Sequence, residues 1–305
     1  MDNLQYIFSF NIVLTTLRFA IPLALAAVGA TICERSGIIN LGVEGMMLIG
    51  AFGGVLGTHM SGSPWFGVLF SILCGGAMGL IHAVLSIRFK TNQTVSGVGI
   101  NILAQGLTVV LARVVWHTDG ISGTVAQLPN VSVPLLKDIP VIGALFADQS
   151  PFLYLMLLIV FAAWFVMYRT KAGLRLRAIG DHPQAASTAG IDVKKYRYLA
   201  VVICGMLCGM AGAYLSIVQN NLFVNNMVAG RGFMALAANI FGGWNPLGSF
   251  LASLLFALAQ AIRINLSLPI PDQFVQMVPY ALTLLVLIGV GRKAKAPEAS
   301  GEPID

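Results

Sequence analysis

The stretch SFNIVLTTLRFAIPLALAAVGATI, residues 9–32, carries only one charged side chain, that of Arg18. A helix needs about 20 predominantly apolar residues to cross the roughly 30 Å hydrocarbon core of a bilayer, so this stretch predicts a transmembrane helix. It is longer than the apolar core of a secretory signal, and no basic residue precedes it. We therefore expect a retained helix rather than a cleaved signal.

Apolar stretches of this kind recur through the whole chain. Hydrophobic residues make up 57% of the sequence and charged residues 10%, with a mean hydropathy of +0.83, whereas soluble domains carry roughly 25% charged residues. The stretches lack the apolar–polar alternation of outer-membrane strands. The sequence therefore predicts an all-α, polytopic membrane helix bundle of about nine spans, near residues 9–32, 40–58, 64–87, 93–116, 151–168, 198–219, 229–243, 246–266 and 274–290.

The seventh predicted span differs from the others because it is short and interrupted. Gly230, Gly232, Gly242 and Gly243 weaken a continuous helix, and Pro246 follows closely. Irregular backbone at membrane depth is tolerated only where protein or a water-filled cavity covers it. We expect a broken or re-entrant segment here.

The distribution of basic residues predicts the orientation. Thirteen of the 18 Lys and Arg residues lie in segments that an outside N-terminus places in the cytoplasm, and only Lys137 lies in an outer loop. We expect an outside N-terminus and a cytoplasmic C-terminus. A single transmembrane domain, 1–291, then has a cytoplasmic loop at 169–197 and an outer loop at 117–150, and a cytoplasmic tail follows at 292–305. Anionic lipid accounts for the net charge of +6 without a nucleic-acid partner.

Motifs of several enzyme classes are absent from the sequence. It has no G-x-x-x-x-G-K-[ST] phosphate loop, no H-E-x-x-H and no G-x-S-x-G, so we expect no ATP hydrolysis by this chain alone, no catalytic residue and no cofactor. The four histidines lie in separate segments without acidic or cysteine partners at ligand spacing, which argues against a metal site. We expect the four cysteines to be reduced.

One long polar stretch, AIGDHPQAASTAGIDVKKY, runs from Ala178 to Tyr196 in the cytoplasmic loop. Asp181 or His182 is expected at a helix N-cap, with Pro183 in the first turn and Gly190 at the end. A helix of about two turns is marginal alone in water, and its alanines would insert poorly into lipid. The pattern therefore favours docking on another protein.

Three segments together carry a resemblance to a known family: ERSGIINLGVEGMMLIGAFGG (Glu34–Gly54), KAGLRLRAIGDHPQAASTAGIDV (Lys171–Val193) and GRGFMALAANIFGGWNPLGSF (Gly230–Phe250). The chain resembles the permease subunits of bacterial ABC importers. It is most similar to the branch, related to ribose and branched-chain amino-acid permeases, that takes up nucleosides and simple sugars. The resemblance implies a coupling helix that contacts the ATPase through Asp181, His182, Pro183, Ala185, Ala186, Gly190 and Ile191.

The resemblance also implies partners and a location. It implies an ABC ATPase with two nucleotide-binding domains that uses ATP and Mg, a second homologous permease, and an extracytoplasmic substrate-binding lipoprotein that contacts the outer loop. The membrane would be the bacterial inner (plasma) membrane. The resemblance favours nucleosides over sugars and a heterodimer over a homodimer, with both alternatives open.

Polar side chains at membrane depth are costly and are functional candidates by default. Those predicted to lie along a translocation pathway, with an aromatic neighbour, are Glu44, Asn101, Gln105, Asn239 and Phe241. Helix packing is an equally good explanation for each of them.

Other polar residues in the predicted spans include Gln93, Arg113 and Gln219. Arg231 is expected near the outer face, because its span runs opposite to that of Glu44. An ion pair between Arg231 and Glu44 is therefore not expected.

Two other functions are compatible with a polytopic membrane chain. An ion-coupled secondary transporter would place a titratable or cation-binding residue near the bilayer midplane, and Glu44 is a poor candidate because it is expected near one face. An intramembrane enzyme would bring paired carboxylates, or a histidine and a nucleophile, together on facing helices. No such pair can be assembled from this sequence.

Overall fold

The computed structural model describes residues 10–131, 149–265 and 296–302. Within these ranges no segment forms a multi-residue strand, and two helices continue into π-helical turns at Val84–Arg88 and Tyr214–Asn220. The α-helices in chain order are α1 (Phe10–Glu34), α2 (Val43–Ser61), α3 (Pro64–Ala83), α4 (Gln93–Trp116), α5 (Pro151–Arg169), α6 (Lys171–Asp181), α7 (Pro183–Thr188), α8 (Val193–Ala213), α9 (Arg231–Phe241) and α10 (Pro246–Asn265).

The prediction of a helical multi-span membrane protein is confirmed. Six helical segments among the described residues are long and apolar enough to cross a membrane, and each corresponds to a predicted span. These segments are Asn11–Glu34, Pro64–Arg88, Gln93–Trp116, Pro151–Arg169, Val193–Asn220 and Pro246–Ile264.

The other three predicted spans have different outcomes. The second corresponds to α2, a 19-residue helix. The seventh corresponds to α9, which has 11 residues and a length of about 16 Å at 1.5 Å per residue, roughly half of a bilayer core. The ninth, 274–290, lies outside the described residues, as do residues 132–148 of the predicted outer loop.

The centre of the bundle is formed by α1, α2, α3 and α8. The share of buried residues in the apolar part of the segment is 78% for α8 and 67% for α1, but 28% for both α4 and α5. The latter two helices therefore lie at the periphery. Glycines allow the central backbones to approach closely: a Cβ on Gly50 would collide with the backbone of Gly209, and a Cβ on Gly75 with that of Gly205. These glycines belong to the small-residue pairs that the sequence contains at i and i+4.

The turn between α1 and α2 enters the bundle, and α2 therefore begins inside it. Ile38 and Asn40 are fully buried, and Asn40 Nδ2 lies 3.4 Å from Cys204 Sγ. Cys204 is about 16 Å along α8 from its first residue. Glu44, which was expected near one face, therefore follows a turn that has already passed into the bundle before α2 starts.

Candidate functional site

The predicted coupling segment forms a short helix with the expected ends. Pro183 occupies the first turn of α7, whose N-cap position is held by His182 without a side-chain hydrogen bond, while Asp181 is the last residue of α6. At the other end Gly190 has a φ of +78°, and Ile191 N donates to Ala186 O at 3.1 Å. Glycine adopts this left-handed conformation at no steric cost, which explains why the helix stops there.

The two faces of α7 have different surroundings. Ala186 is 5% exposed and packs in a small core with Ile179 of α6 and Val193 of α8. This core fixes α7 against its own chain, so the Ala186 side chain is unavailable to a partner. The exposed residues of the segment are His182, Gln184, Ala185, Ser187, Thr188, Ala189 and Gly190.

The end of α6 lies directly against the turn that follows α1. A Cβ on Gly180 would collide with the carbonyl oxygen of Arg35, so only glycine permits this approach. Gly37, in the same turn, has a φ of +86°, and a Cβ there would lie 2.7 Å from the Arg197 guanidinium. The end of α6 and the α1–α2 turn are therefore in direct backbone contact.

A C-terminal segment, Ala296–Glu302, closes over these elements, and we call it the tail clip. Ala299 N donates to Gly180 O, and Gly301 N donates to Gly37 O, both at 3.0 Å. The exposed Glu298 carboxylate lies 3.4 Å from His182 Nε2, a surface contact that adds little energy. The tail clip thus joins the α6–α7 region to the α1–α2 turn.

Arg197, at the start of α8, is the buried cation of this region. Its side chain is among the largest that are fully buried. Its Nε donates to Ser36 O and its NH1 to Glu302 O, both at 3.0 Å. Because a buried guanidinium needs acceptors, Arg197 holds the α1–α2 turn and the tail clip together.

A groove with a volume of about 560 Å³ separates α7 from the tail clip. Three acidic residues line it, and the rest of the lining comes from His182, the α7 helix and Ala299 of the tail clip. The acidic lining residues are Asp181, Glu298 and Glu302. The region around α7, basic in composition, therefore has an acidic groove beside this helix.

The α1–α2 turn continues the contacts toward α9. Arg35 Nε donates to Trp244 O at 2.7 Å, and the Glu34 carboxylate accepts hydrogen bonds from Asn239 Nδ2 at 2.8 Å and from Trp244 Nε1 at 2.5 Å. The Thr31 hydroxyl lies 2.8 Å from Asn239 Oδ1. A continuous set of contacts therefore leads from α7 through the turn to the carboxyl end of α9.

Glu44 holds the other end of α9. The N-cap residue of α9 is Gly230, which has no side chain to cap the helix, and Glu44 accepts from Gly230 N and from Gly232 N, each at 2.7 Å. A carboxylate satisfies free amide groups at a helix N-terminus and interacts favourably with the helix dipole. Glu44 thus replaces the missing N-cap from a neighbouring helix.

The start of α9 brings Arg231 close to Glu44. The sequence predicted no ion pair between them, and the ion pairs seen among the described residues do not include this one; both residues stand at the start of α9 because α9 is short and α2 begins inside the bundle. Glu44 is held by backbone amides, whereas Arg231 NH1 donates to Met227 O and Val228 O at 3.0 and 3.1 Å.

The remaining pathway candidates lie in different surroundings. Asn101 accepts from Gly45 N at 2.7 Å and donates to Leu41 O at 2.9 Å, so it fastens α4 to the start of α2. Phe241 packs edge-on against Phe256 of α10, with ring centroids 5.6 Å apart. Gln105 is exposed on α4, apart from the Glu44 and Asn239 contacts. The structure therefore does not bring the five candidates into one cavity.

Two residues of this site were missed in the sequence. Glu34 follows an uninterrupted apolar stretch, and Arg197 precedes one, so both resemble ordinary charges at the membrane surface. The only signal was that Glu34 and Trp244 each fall inside a segment that carried the family resemblance. Their burial depends on the inward turn at Ile38 and Asn40, which no local pattern predicts.

Comparisons with known proteins agree with this architecture. Residues 12–287 match the family described as branched-chain amino acid transport system / permease component. The chain is 40% identical to the guanosine ABC transporter permease protein NupQ of Bacillus subtilis, over 96% of this chain and 95% of the relative. It is also 40% identical to the nucleoside ABC transporter permease protein NupC of Lactococcus lactis, over 95% of each.

A solved structure shows the same fold. The inward-facing conformation of an ABC transporter described as of the metal-chelate type superposes with a TM-score of 0.51 at 16% identity, covering 94% of this chain and 88% of that chain. At this identity the likeness bears on the fold alone. The family match and the identity to two permeases are decisive: this chain belongs to the family of ABC transporter permease components of the branched-chain amino acid transport type.

Proposed function

We propose that this chain is the membrane permease subunit of an ATP-driven importer of nucleosides. The observation that carries the proposal is the 40% identity, over nearly the whole chain, to permeases named for guanosine and for nucleosides. The described residues also form a multi-span helical bundle with a short, mostly exposed helix, α7, beside it. The chain moves its substrate without changing it, and the chemistry of ATP and Mg belongs to a partner ATPase.

In this proposal α7 is the coupling helix. Its support is physical: α7 is fixed to its own chain through Ala186, exposes its other residues, and abuts the α1–α2 turn through Gly180. Closure of an ATPase bound to α7 would push this turn, and Arg35 and Glu34 would pass the displacement to α9. Spatial continuity supports this route, and coupling measurements test it.

The assembly follows from the same proposal. Nine spans, an outside N-terminus and a cytoplasmic C-terminus place α6, α7 and the tail clip on the ATPase side. The partners are an ATPase with two nucleotide-binding domains, a second, unequal permease, and an extracytoplasmic substrate-binding lipoprotein, in a bacterial inner membrane. The thirteen basic residues of the cytoplasmic segments support the orientation.

Transport by the complete complex in vesicles tests the function. The permease, its homologous partner, the ATPase and the binding protein are reconstituted, and uptake of labelled guanosine is followed with ATP inside or outside the vesicles. We expect uptake to require ATP on the α7 side and to persist when ionophores remove ion gradients. Uptake that follows an ion gradient without ATP would overturn the proposal in favour of secondary transport.

A further inference from the structure

A second cavity lies at the opposite end of the bundle from α7. It has a volume of about 390 Å³, within the range of about 300–1,000 Å³ that small-molecule sites occupy. Its walls come from α1, the π-helical turn after α8, the start of α5 and the segment before residue 131. It is separate from all five pathway candidates, none of which lines it.

Arg18 indicates that the cavity holds water. It lies seven residues into the first membrane span, about 10 Å from its beginning, and its side chain is exposed in this cavity. It makes no hydrogen bond to a described residue. Because an arginine facing hydrocarbon at this depth is costly, its exposure is explained by an aqueous cavity that opens toward the first residues of α1.

The walls also carry amide side chains available for hydrogen bonding. Asn130 and Gln219 line the cavity, are exposed, and make no hydrogen bond to a described residue. Gln127 donates from Nε2 to Val218 O at 2.8 Å, which fixes its amide on the same side. Asn and Gln amides can form paired hydrogen bonds with the donor and acceptor edge of a purine base.

Aromatic rings complete the cavity. Phe19 and Tyr214 line it, and the Tyr214 ring is held by Phe152, with centroids 5.6 Å apart. A flat, heteroaromatic ligand can pack against such rings. The described lining contains no carboxylate.

We propose that this cavity is a nucleoside-binding vestibule within the permease, occupied by the substrate on its way from the outside into the bundle. The amides of Asn130 and Gln219 bind the base edge, Phe19 contacts the base face, and Arg18 donates to a base or ribose oxygen. This inference rests on the proposed function for the class of substrate, and on the cavity for the place.

Cysteine labelling in the reconstituted importer tests the vestibule. Gln219→Cys is treated from outside with a membrane-impermeant thiol reagent, in the absence of the binding protein, with increasing guanosine or ribose. Ser61→Cys is the matched control, because Ser61 is exposed near the same membrane face and does not line the cavity. The wild type supplies the background, since three of its cysteines are buried and Cys74 is partly so.

Guanosine is expected to slow labelling of Gln219→Cys about fivefold, the protection given by ~80% occupancy of one site. Ribose is expected to give no protection, and Ser61→Cys is expected to be labelled at one rate throughout. Equal protection by ribose, or none by guanosine, overturns the vestibule. If Gln219→Cys does not assemble, Asn130→Cys, in another segment of the cavity lining, gives the same readout.

The same vesicles separate the two proposals. If the wild type imports guanosine with ATP but neither cysteine variant is protected, the vestibule is wrong and the proposed function stands. If the wild type imports no nucleoside, the proposed function is wrong, and the vestibule fails with it.

Discussion

Replacement of Gly232 by alanine should disrupt the junction between α2 and α9. Gly232 N donates to Glu44 at 2.7 Å, and an added Cβ would lie 2.6 Å from both Cα and N of Glu44. Backbone atoms cannot rotate away, so one helix must shift. Overpacking typically costs about 1–3 kcal/mol, and losing a hydrogen bond to a buried charged group costs about 1.5–3 kcal/mol. We therefore expect a loss of about 3–5 kcal/mol.

The free energy of unfolding of the purified chain, measured by denaturant titration in detergent, gives the assay. Gly99→Ala is the matched control: Gly99 is an exposed residue of α4, and a Cβ there has no heavy atom within 4 Å. The control should be neutral or stabilising by up to about 1 kcal/mol, because alanine favours the helix. If Gly232→Ala unfolds like Gly99→Ala, the close approach of α9 to Glu44 is refuted.

Two further changes test the buried polar contacts. Glu34→Gln keeps the shape of the side chain but turns an amide group toward the donors of Asn239 and Trp244. The free energy of unfolding in detergent should therefore fall by about 2–4 kcal/mol. An unchanged free energy of unfolding would contradict these hydrogen bonds. Arg197→Met removes the hydrogen bonds to Ser36 and the tail clip, so the tail clip should open more often. If local opening becomes easier by ~1.4 kcal/mol, a protease that cuts after glutamate should cleave at Glu298 about tenfold faster. Equal cleavage of wild type and variant would show that Arg197 does not hold the tail clip.

Much of the fold follows from the sequence because lipid imposes a simple requirement. A chain crossing hydrocarbon must satisfy its backbone hydrogen bonds within a helix, so apolar length alone predicts where such helices form. Six of the predicted spans correspond to membrane-length helices within a few residues. The ends of α7 were equally predictable, because Pro183 and Gly190 act through local backbone geometry.

Depth and partners were less predictable because they depend on tertiary structure. Glu44 was expected near a surface, yet the turn at Asn40 carries it inside the bundle, against α9. Ala186 was expected to contact the ATPase with the rest of its helix, yet it faces Ile179 and Val193. Hydrophobic periodicity is weak in a six-residue helix with alanine on both faces, so only the packed structure separates Ala185 from Ala186.

The association of this chain with its ATPase tests the central claim most directly. Ala185→Glu places a charge on the exposed face of α7, and Ala296→Glu places the same charge on the exposed start of the tail clip. We expect Ala185→Glu to fold and insert but to lose at least about 100-fold in ATPase affinity, because a charge buried unpaired at an interface is costly. This variant should also lose ATP-driven uptake. Ala296→Glu should retain both ATPase binding and uptake. ATPase binding and uptake at wild-type levels by Ala185→Glu would contradict the assignment of α7 as the coupling helix.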